Sequence, residues 1–442
     1  MRKHMLLALA VLCSASLFAT DLSIKDAFQS AKENSSSYVL ALRQYQDSVK
    51  LTDSGSSLIP SLSLSANAST GYNFEDISLM SKKGSTGLSL GVSAGATFAL
   101  SPAVYTSKET KNLTNQASYL SLLSAEQNLY VSVATAYINL ALAKEAVAVS
   151  QSALDIAQAS LDSVQSLYDA GKAQELTLMQ AQNGLSSARI DLQSKTSSLT
   201  IAKKNFKTLT GIDIDESGYT LLDINSITLL SLPEYSELFE QYKFSNNAVQ
   251  SARVTIQQAE LGVTTLKNTS RIPTVSASVG YTYAGATDTD WKDYGTASNR
   301  LTGTVAVSVP LDSYIPGTST NKSIKSAENS ASYAQSALDI ALESLDSSMD
   351  QLVSGIDTQS DSIALLQDSL DAIEYQLKLS EDAYNAGKLS LDDLNSVRNS
   401  VTSTKYSLLS AKANYILSAC SLATMIGMDY SGLNNTFGGV SK

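Results

Sequence analysis

Four stretches of the chain alternate apolar and polar residues with a period of two. Between 58 and 74, Leu58, Leu62, Leu64, Ala66, Ala68, Tyr72 and Phe74 interleave with Ser61, Ser63, Ser65, Asn67, Ser69 and Asn73. Between 87 and 101, Leu88, Leu90, Val92, Ala94, Ala96, Phe98 and Leu100 share one face, with Gly, Ser, Thr or Ala on the other. Val275, Ala277, Val279, Tyr281 and Tyr283 mark a third stretch (272–284), and Leu301, Val305, Val307, Val309 and Leu311 a fourth (301–311). Alternation of this length predicts strands with one apolar and one polar face. The polar faces are Ser, Thr, Gly and Asn, with almost no charge. Two readings follow. One is a soluble sandwich with a solvated face; the other is a membrane barrel wall with lipid outside and water inside, crossed by ~9–11 residues per strand. Four strands cannot close a barrel, because the smallest have about eight. Open edges are not tolerated in lipid, so on the barrel reading several chains share one barrel.

The rest of the chain carries heptads. Val133, Leu140, Val147, Leu154, Leu161 and Tyr168 step by seven, as do Leu178, Leu185, Leu192, Leu199 and Phe206. The same holds for Met349, Ile356, Ile363, Leu370, Leu377 and Tyr384, and for Leu394, Val401, Leu408, Tyr415 and Leu422. Sustained sevens predict left-handed coiled coils. One helix over Ala103–Tyr168 would be roughly 100 Å long at 1.5 Å per residue, and Thr318–Tyr384 matches it. Each long helix ends at a Gly-Lys turn. From the turn two shorter helices return end to end: up to about Leu209 and then about Pro233–Leu266 in one case, Ser390–Ile426 together with Leu22–Leu51 in the other. Gly211–Leu232 and Gly427–Lys442 would form an irregular belt partway along.

These elements repeat. Tyr168-Asp-Ala-Gly-Lys172 recurs as Tyr384-Asn-Ala-Gly-Lys388, and Thr208-Leu-Thr-Gly-Ile-Asp213 as Thr424-Met-Ile-Gly-Met-Asp429, both at an offset of 216. Ile59-Pro60 recurs as Ile272-Pro273 at an offset of 213. The expected organisation is a tandem duplication with repeats at 20–218 and 219–442, tips near 171 and 387, and a leader before them. Residues 1–19 read as an export signal. Arg2, Lys3 and His4 are basic, Met5–Leu12 is apolar, and small residues run to about Ala19. Cys13 raises a lipoprotein alternative, opposed by the large Leu12 before it.

Composition narrows the chemistry. Without the signal, the one histidine and Cys13 are gone, leaving Cys420 alone. No disulfide, His/Cys zinc site, Ser-His-Asp triad or Cys-His pair can be built from what remains. No phosphate-binding Gly-rich loop or nucleophile elbow is present. Cys420 lies among Ile416, Leu417, Ala419 and Leu422, as a buried small residue would. A net charge of −11 disfavours nucleic acid as a partner. The reading is of a non-enzyme without cofactor or metal.

The order of these elements, with Ala134-Thr-Ala-Tyr137, the Tyr-x-x-Gly tips, the Ile-Pro strand starts and the Gly-containing helix ends at Gly211 and Gly427, resembles the outer-membrane efflux proteins of the TolC type over nearly the whole mature chain. The resemblance implies an α+β membrane protein: a homotrimer whose protomers each give four strands to a shared twelve-stranded barrel, continued by a periplasmic α-barrel of coiled coils. It implies an outer-membrane duct that exports small molecules or proteins, docked onto a periplasmic adaptor and an inner-membrane pump. It places adaptor contacts at Ala170, Gly171, Lys172, Ala386, Gly387, Lys388 and Leu389; the two glycines also read as helix C-caps. It places the periplasmic aperture at Asp393, Ser396, Thr177 and Tyr384. Here Ser396 and Thr177 stand where aspartates are common, and Leu389 where an arginine is, so the salt-bridge latch of the family is interrupted. Asp393 has a second reading, since Ser390-Leu-Asp-Asp393 has the form of a capping box. In the loop before the fourth strand, Asp288, Asp290 and Asp293 read as solvated, with calcium as the alternative, and Trp291 and Tyr294 suit a lipid interface. The competing function is a periplasm-spanning tether without a conducting pore.

Overall fold

The computed structural model describes residues 21–53, 60–74, 84–217, 219–221, 224, 227–287 and 298–438. The expected export signal and the acids and aromatics at 288–294 lie outside them. Contacts divide the chain into two compact units, one formed by Met1–Arg43, Ser121–Val249 and Leu342–Lys442, the other by Gln44–Leu120 and Gln250–Ala341. Each unit takes segments from both sequence repeats.

The second unit holds the strands. β1 (Ser61–Phe74), β2 (Gly84–Leu100), β3 (Thr274–Thr287) and β4 (Ser298–Ser308) form one antiparallel sheet in that order. The fourth alternating stretch stops at Ser308 because Pro310 lacks the N–H that a ladder needs; a 3₁₀ turn follows at Asp312–Tyr314. Against the start of α3 (Val104–Asp169) lie α2 (Ser36–Asp53) and α7 (Asn247–Arg271). Polar pairs join them: Ser48 donates to Asn115 over 3.2 Å, and Thr265 to Thr106 over 2.8 Å. Leu113, Leu120 and Val254 make a small core there.

The first unit is helical. α1 (Ile24–Asn34), α3, α4 (Glu175–Thr210), α8 (Ser319–Asn385) and α9 (Leu391–Met425) match the predicted helices within a few residues, apart from one break. That break is at Ser35, where one helix was expected over Leu22–Leu51. Ser35 closes α1 through its own N–H on the Ala31 carbonyl (2.8 Å) and takes extended angles, and its Oγ accepts from Tyr38 N (3.5 Å) at the start of α2. The helix expected over Pro233–Leu266 is likewise two, α6 (Tyr235–Tyr242) and α7. Asn246 separates them by accepting from Ala248 N and Val249 N, while its amide donates to the Met425 carbonyl over 3.1 Å. The C-terminal belt is not irregular throughout, because Asp429 caps α10 (Tyr430–Phe437) by accepting from Gly432 N over 2.7 Å. A single short helical turn, α5, spans Ile214–Ser217. Belt residues pair with neighbouring strand-like segments, Leu22 N with Thr220 O and Ser231 N with Phe437 O.

The heptads form two cores. Val133, Leu140 and Phe206 pack with Tyr137, Ile416 and Cys420. Met349, Ile356, Ile363 and Leu370 pack with Val401, Leu408, Tyr415 and Leu422, capped by Leu238 and Leu433. Tyr137 of the Ala-Thr-Ala-Tyr motif is fully buried, and its hydroxyl donates to the Leu22 carbonyl over 2.5 Å, tying the N-terminal segment to α3. A window within α3 is apolar enough, by length and composition, to cross a membrane. A third of that window (33 %) is buried in the protein.

Candidate functional site

Both tips are built the same way. Five residues separate α3 from α4 (170–174) and five separate α8 from α9 (386–390). Gly171 and Gly387 take φ of +69° and +71°, the left-handed region that only glycine adopts freely. In the first tip Gly171 N donates to Tyr168 O and Lys172 N to Leu167 O, each over 2.8 Å; in the second, Gly387 N donates to Tyr384 O and Lys388 N to Ala383 O, each over 2.9 Å. These paired bonds are the Schellman closure, which satisfies carbonyls the helix end leaves free. A Cβ added at either glycine would meet nothing within 4 Å, so conformation and not crowding requires glycine there. Ala170, Gly171, Lys172, Ala386, Gly387 and Lys388 are exposed and Leu389 is half-buried, so the tips present a free surface.

The aperture residues fall on the first turns of the return helices. Asp393 N donates to Ser390 Oγ over 3.1 Å, and Ser390 Oγ donates back to a carboxylate oxygen of Asp393 over 2.6 Å. Ser390 thus caps α9, but the box is half-formed, since the Asp393 carboxylate meets the Ser390 hydroxyl and not its backbone N–H; Asp393 and Ser396 are exposed. Thr177 and Tyr384 are half-buried, and among the described residues neither side chain has a hydrogen-bond partner. The contact that does join the hairpins is apolar. Leu391, Val164 and Ala181 are buried together, flanked by Leu161, Leu178 and Tyr384. Sequence reasoning passed over Leu391 because it lies outside the heptads; its only signal was an apolar residue inside the Ser-Leu-Asp-Asp cap.

A second junction sits about twenty residues back from the tips. Ser150 is fully buried on α3 and donates to Asp191 of α4 over 2.5 Å. The Tyr406 hydroxyl of α9 lies within hydrogen-bonding distance of Ser150 Oγ, of the Asp191 carboxylate (3.2 Å) and of the Ala146 carbonyl (3.2 Å), sharing one proton among these acceptors. Lys195 stacks over its ring at 4.3 Å. Burial, with the Asp191 carboxylate beside it, pushes the Tyr406 hydroxyl above its ordinary range. Arg398 and Glu381 pair across the second hairpin at 3.1 Å. Cys420 is 1 % exposed, and burial pushes its thiol up to about 12, far from a nucleophile's range.

In the sheet, register sorts the side chains. Leu64, Ala94, Tyr281 and Leu301 align across all four strands, as do Leu62, Ala96, Val279 and Gly303, so one face is predominantly apolar; its row Ala66–Val92–Tyr283–Asn299 ends on a polar residue. That face is open, with Leu62 83 % and Val305 76 % exposed. The opposite face aligns Ser61, Thr97, Ser278 and Thr304, then Ser63, Gly95, Gly280 and Thr302. Ser65 and Ser93 hydroxyls bond each other at 2.8 Å. β1 and β4 are edges, unpaired among the described residues.

Comparison with known proteins gives this architecture a family. Over 93% of this chain and 93% of the other, the fold superposes on CusC with a TM-score of 0.72 at 17% identity. VceC of Vibrio cholerae matches at 0.68 and 16%, covering 92% and 96%, and the open-state MtrE channel of Neisseria gonorrhoeae at 0.69 and 18%, covering 94% and 93%. The search against curated proteins finds no match. A family model described as outer membrane efflux protein matches residues 29–212 and 238–428, two stretches ending 216 residues apart (428 − 212), the offset of the sequence repeat. The chain belongs to the outer membrane efflux protein family, a transport family of the outer membrane and not one of enzymes.

Proposed function

We propose that three copies of this chain close their four-stranded sheets into one twelve-stranded barrel, and that the assembly conducts cargo outward as the exit duct of a tripartite efflux or type I secretion system. The observation that carries this reading is the sheet: one face predominantly apolar and exposed, the other hydroxyl-rich, and two edges unpaired among the described residues. Lipid on the first face, water on the second and a neighbouring copy at each edge satisfy all three at once. The exposed tips at Ala170–Lys172 and Ala386–Leu389 are the surface for the periplasmic adaptor. Three Asp393 carboxylates, one per protomer and each held by Ser390, line the periplasmic entrance and attract cations.

With Leu389 and Thr177 in place of charged residues, the hairpins are held at the tips by the Leu391–Val164–Ala181 contact. Single-channel recording of the purified protein in planar bilayers, with its oligomeric mass measured, tests the reading. Discrete steps from a trimer support it. A folded trimer that stays silent, even with Leu391→Ala loosening the tips, would make the protein a tether.

A further inference from the structure

The four strands contain 56 residues in all (14 + 17 + 14 + 11). Arg300 is the one charged side chain among them. Register places it on the hydroxyl-rich face, in the row Ser65–Ser93–Thr282–Arg300, and it is exposed. It is the third residue of β4, close to the end where β1 runs to β2 and β3 to β4, the end away from the strand–helix connections. No carboxylate lies on any of the four strands to neutralise it.

We propose that Arg300 is a selectivity residue of the duct: three copies form a ring of fixed positive charge just inside the outer mouth, which concentrates anionic solutes and disfavours cationic ones. This rests on the barrel reading given under Proposed function. Elsewhere the lumen face of the described strands is Ser, Thr, Gly, Asn and Ala, whose dipoles carry no net charge, so the ring is the one fixed charge on that face. Rings of Arg or Lys are how pores favour anions, and lumen-facing substitutions tune selectivity while lipid-facing ones alter stability.

Magnitude decides whether the ring matters in so wide a pore. Twelve strands about 4.8 Å apart, tilted about 40°, give a backbone radius of about 12 Å, and even an arginine lying back along the wall holds its charge about 10 Å from the axis. Three unit charges at that distance in water enrich a monovalent anion about fourfold at 10 mM salt and about twofold at 0.1 M. At 1 M the Debye length falls to about 3 Å and the enrichment vanishes. The effect is therefore one of low salt.

The test is the reversal potential under a KCl gradient, recorded in a Leu391→Ala background so that the tips do not dominate. At 10 mM salt, Arg300→Gln should raise the potassium-to-chloride permeability ratio at least twofold and Arg300→Glu further. Arg300→Lys should leave it near the parent value, and all four should converge at 1 M. Arg300→Cys, modified after assembly, gives a second readout independent of how the other variants fold. Cys420 is buried, so in the chain without the expected export signal, which carries Cys13, the new thiol alone reacts. A positively charged methanethiosulfonate should restore the parent selectivity and a negatively charged one should reverse it. Unchanged permeability ratios across these variants, with conductance intact, would overturn the proposal while leaving the duct standing. Silence from every folded trimer would remove the duct, and the proposal with it.

Discussion

Truncating Leu391 to alanine tests how the tips are held. Leu391 is the first residue of α9 and is 3 % exposed, enclosed by Val164 of α3 and Ala181 of α4. Removing three carbons forfeits about 2.4 kcal/mol of transfer free energy at ~0.8 kcal/mol per methylene. Cavity terms raise such losses toward 5 kcal/mol where surroundings are rigid. This site lies at the end of two hairpins beside exposed residues, so it collapses easily and the expected loss is about 2–3 kcal/mol. That corresponds to a shift of about 30-fold to about 160-fold in the equilibrium between joined and separated hairpins. No side-chain hydrogen bond from Thr177 or Tyr384 is present among the described residues to compensate.

The two large cores do not include Leu391, so the global melting temperature should barely move. Amide exchange across Thr177–Ala181 should accelerate, and channel conductance should rise. Leu391→Met, which keeps the volume, should behave as the parent. The reasoning fails if exchange at the tip and conductance are both unchanged in Leu391→Ala, or if the melting temperature falls while the tip stays protected.

Three further outcomes are expected. Gly211→Ala should destabilise the first unit by about 2–4 kcal/mol in denaturant melts, combining left-handed strain with a clash, because Gly211 has φ +75° and a Cβ there would lie 2.6 Å from the Asn34 amide; Gly171→Ala, in open space, should cost only about 1 kcal/mol. Tyr406→Phe should cost about 1.5–3 kcal/mol by the same melts, as expected for a bond to a charged acceptor, and in a cycle with Asp191→Asn the two losses should fall short of additivity. Cys420 should resist maleimide until the protein unfolds. Its thiol is raised by burial to about 12, so between pH 9 and 12 the folded state keeps a proton that the unfolded state has released; stability contributed below pH 9 should therefore decline as pH climbs through that window, measured as a falling urea midpoint.

Period-two alternation located all four strands because nothing competes with it: Leu62 through Ala68 keep one face without a break, and the pairing register then follows from matching that face. Heptads located the long helices for the same reason. The misses are where one polar side chain outweighs the pattern. Ser35 and Asn246 interrupt apolar periodicity that would carry a helix through, and each does so with hydrogen bonds to the backbone, which sequence spacing does not register. Asp429 founds a helix in eight residues that carry no sustained repeat. At the site, the Gly-Lys turns were legible because glycine's conformation is local, and the Ser390–Asp393 cap because its partners are three residues apart. Leu391 with Val164, and Ser150 with Asp191 and Tyr406, join segments up to about 260 residues apart, and such contacts follow only from the packing.

The duplication shows where the halves stopped being interchangeable. Tips, glycines and heptads persist at the offset of 216. Ser150, Asp191 and Tyr406 correspond to Leu366, Ser407 and Ile190, and Leu391 to Glu175. Each of these departures lies at a contact between the first hairpin and α9. A closed ring of identical hairpins would have no reason to differ there. On the trimer proposed above, two hairpins that pack side by side within one protomer and each meet another copy would see two different neighbours, and their facing residues would diverge. The conserved turns are what any hairpin of this length needs in order to close. The divergent contacts are where the first hairpin and α9 meet, so substitutions there act on the joint between the hairpins and not on the turns that close each of them.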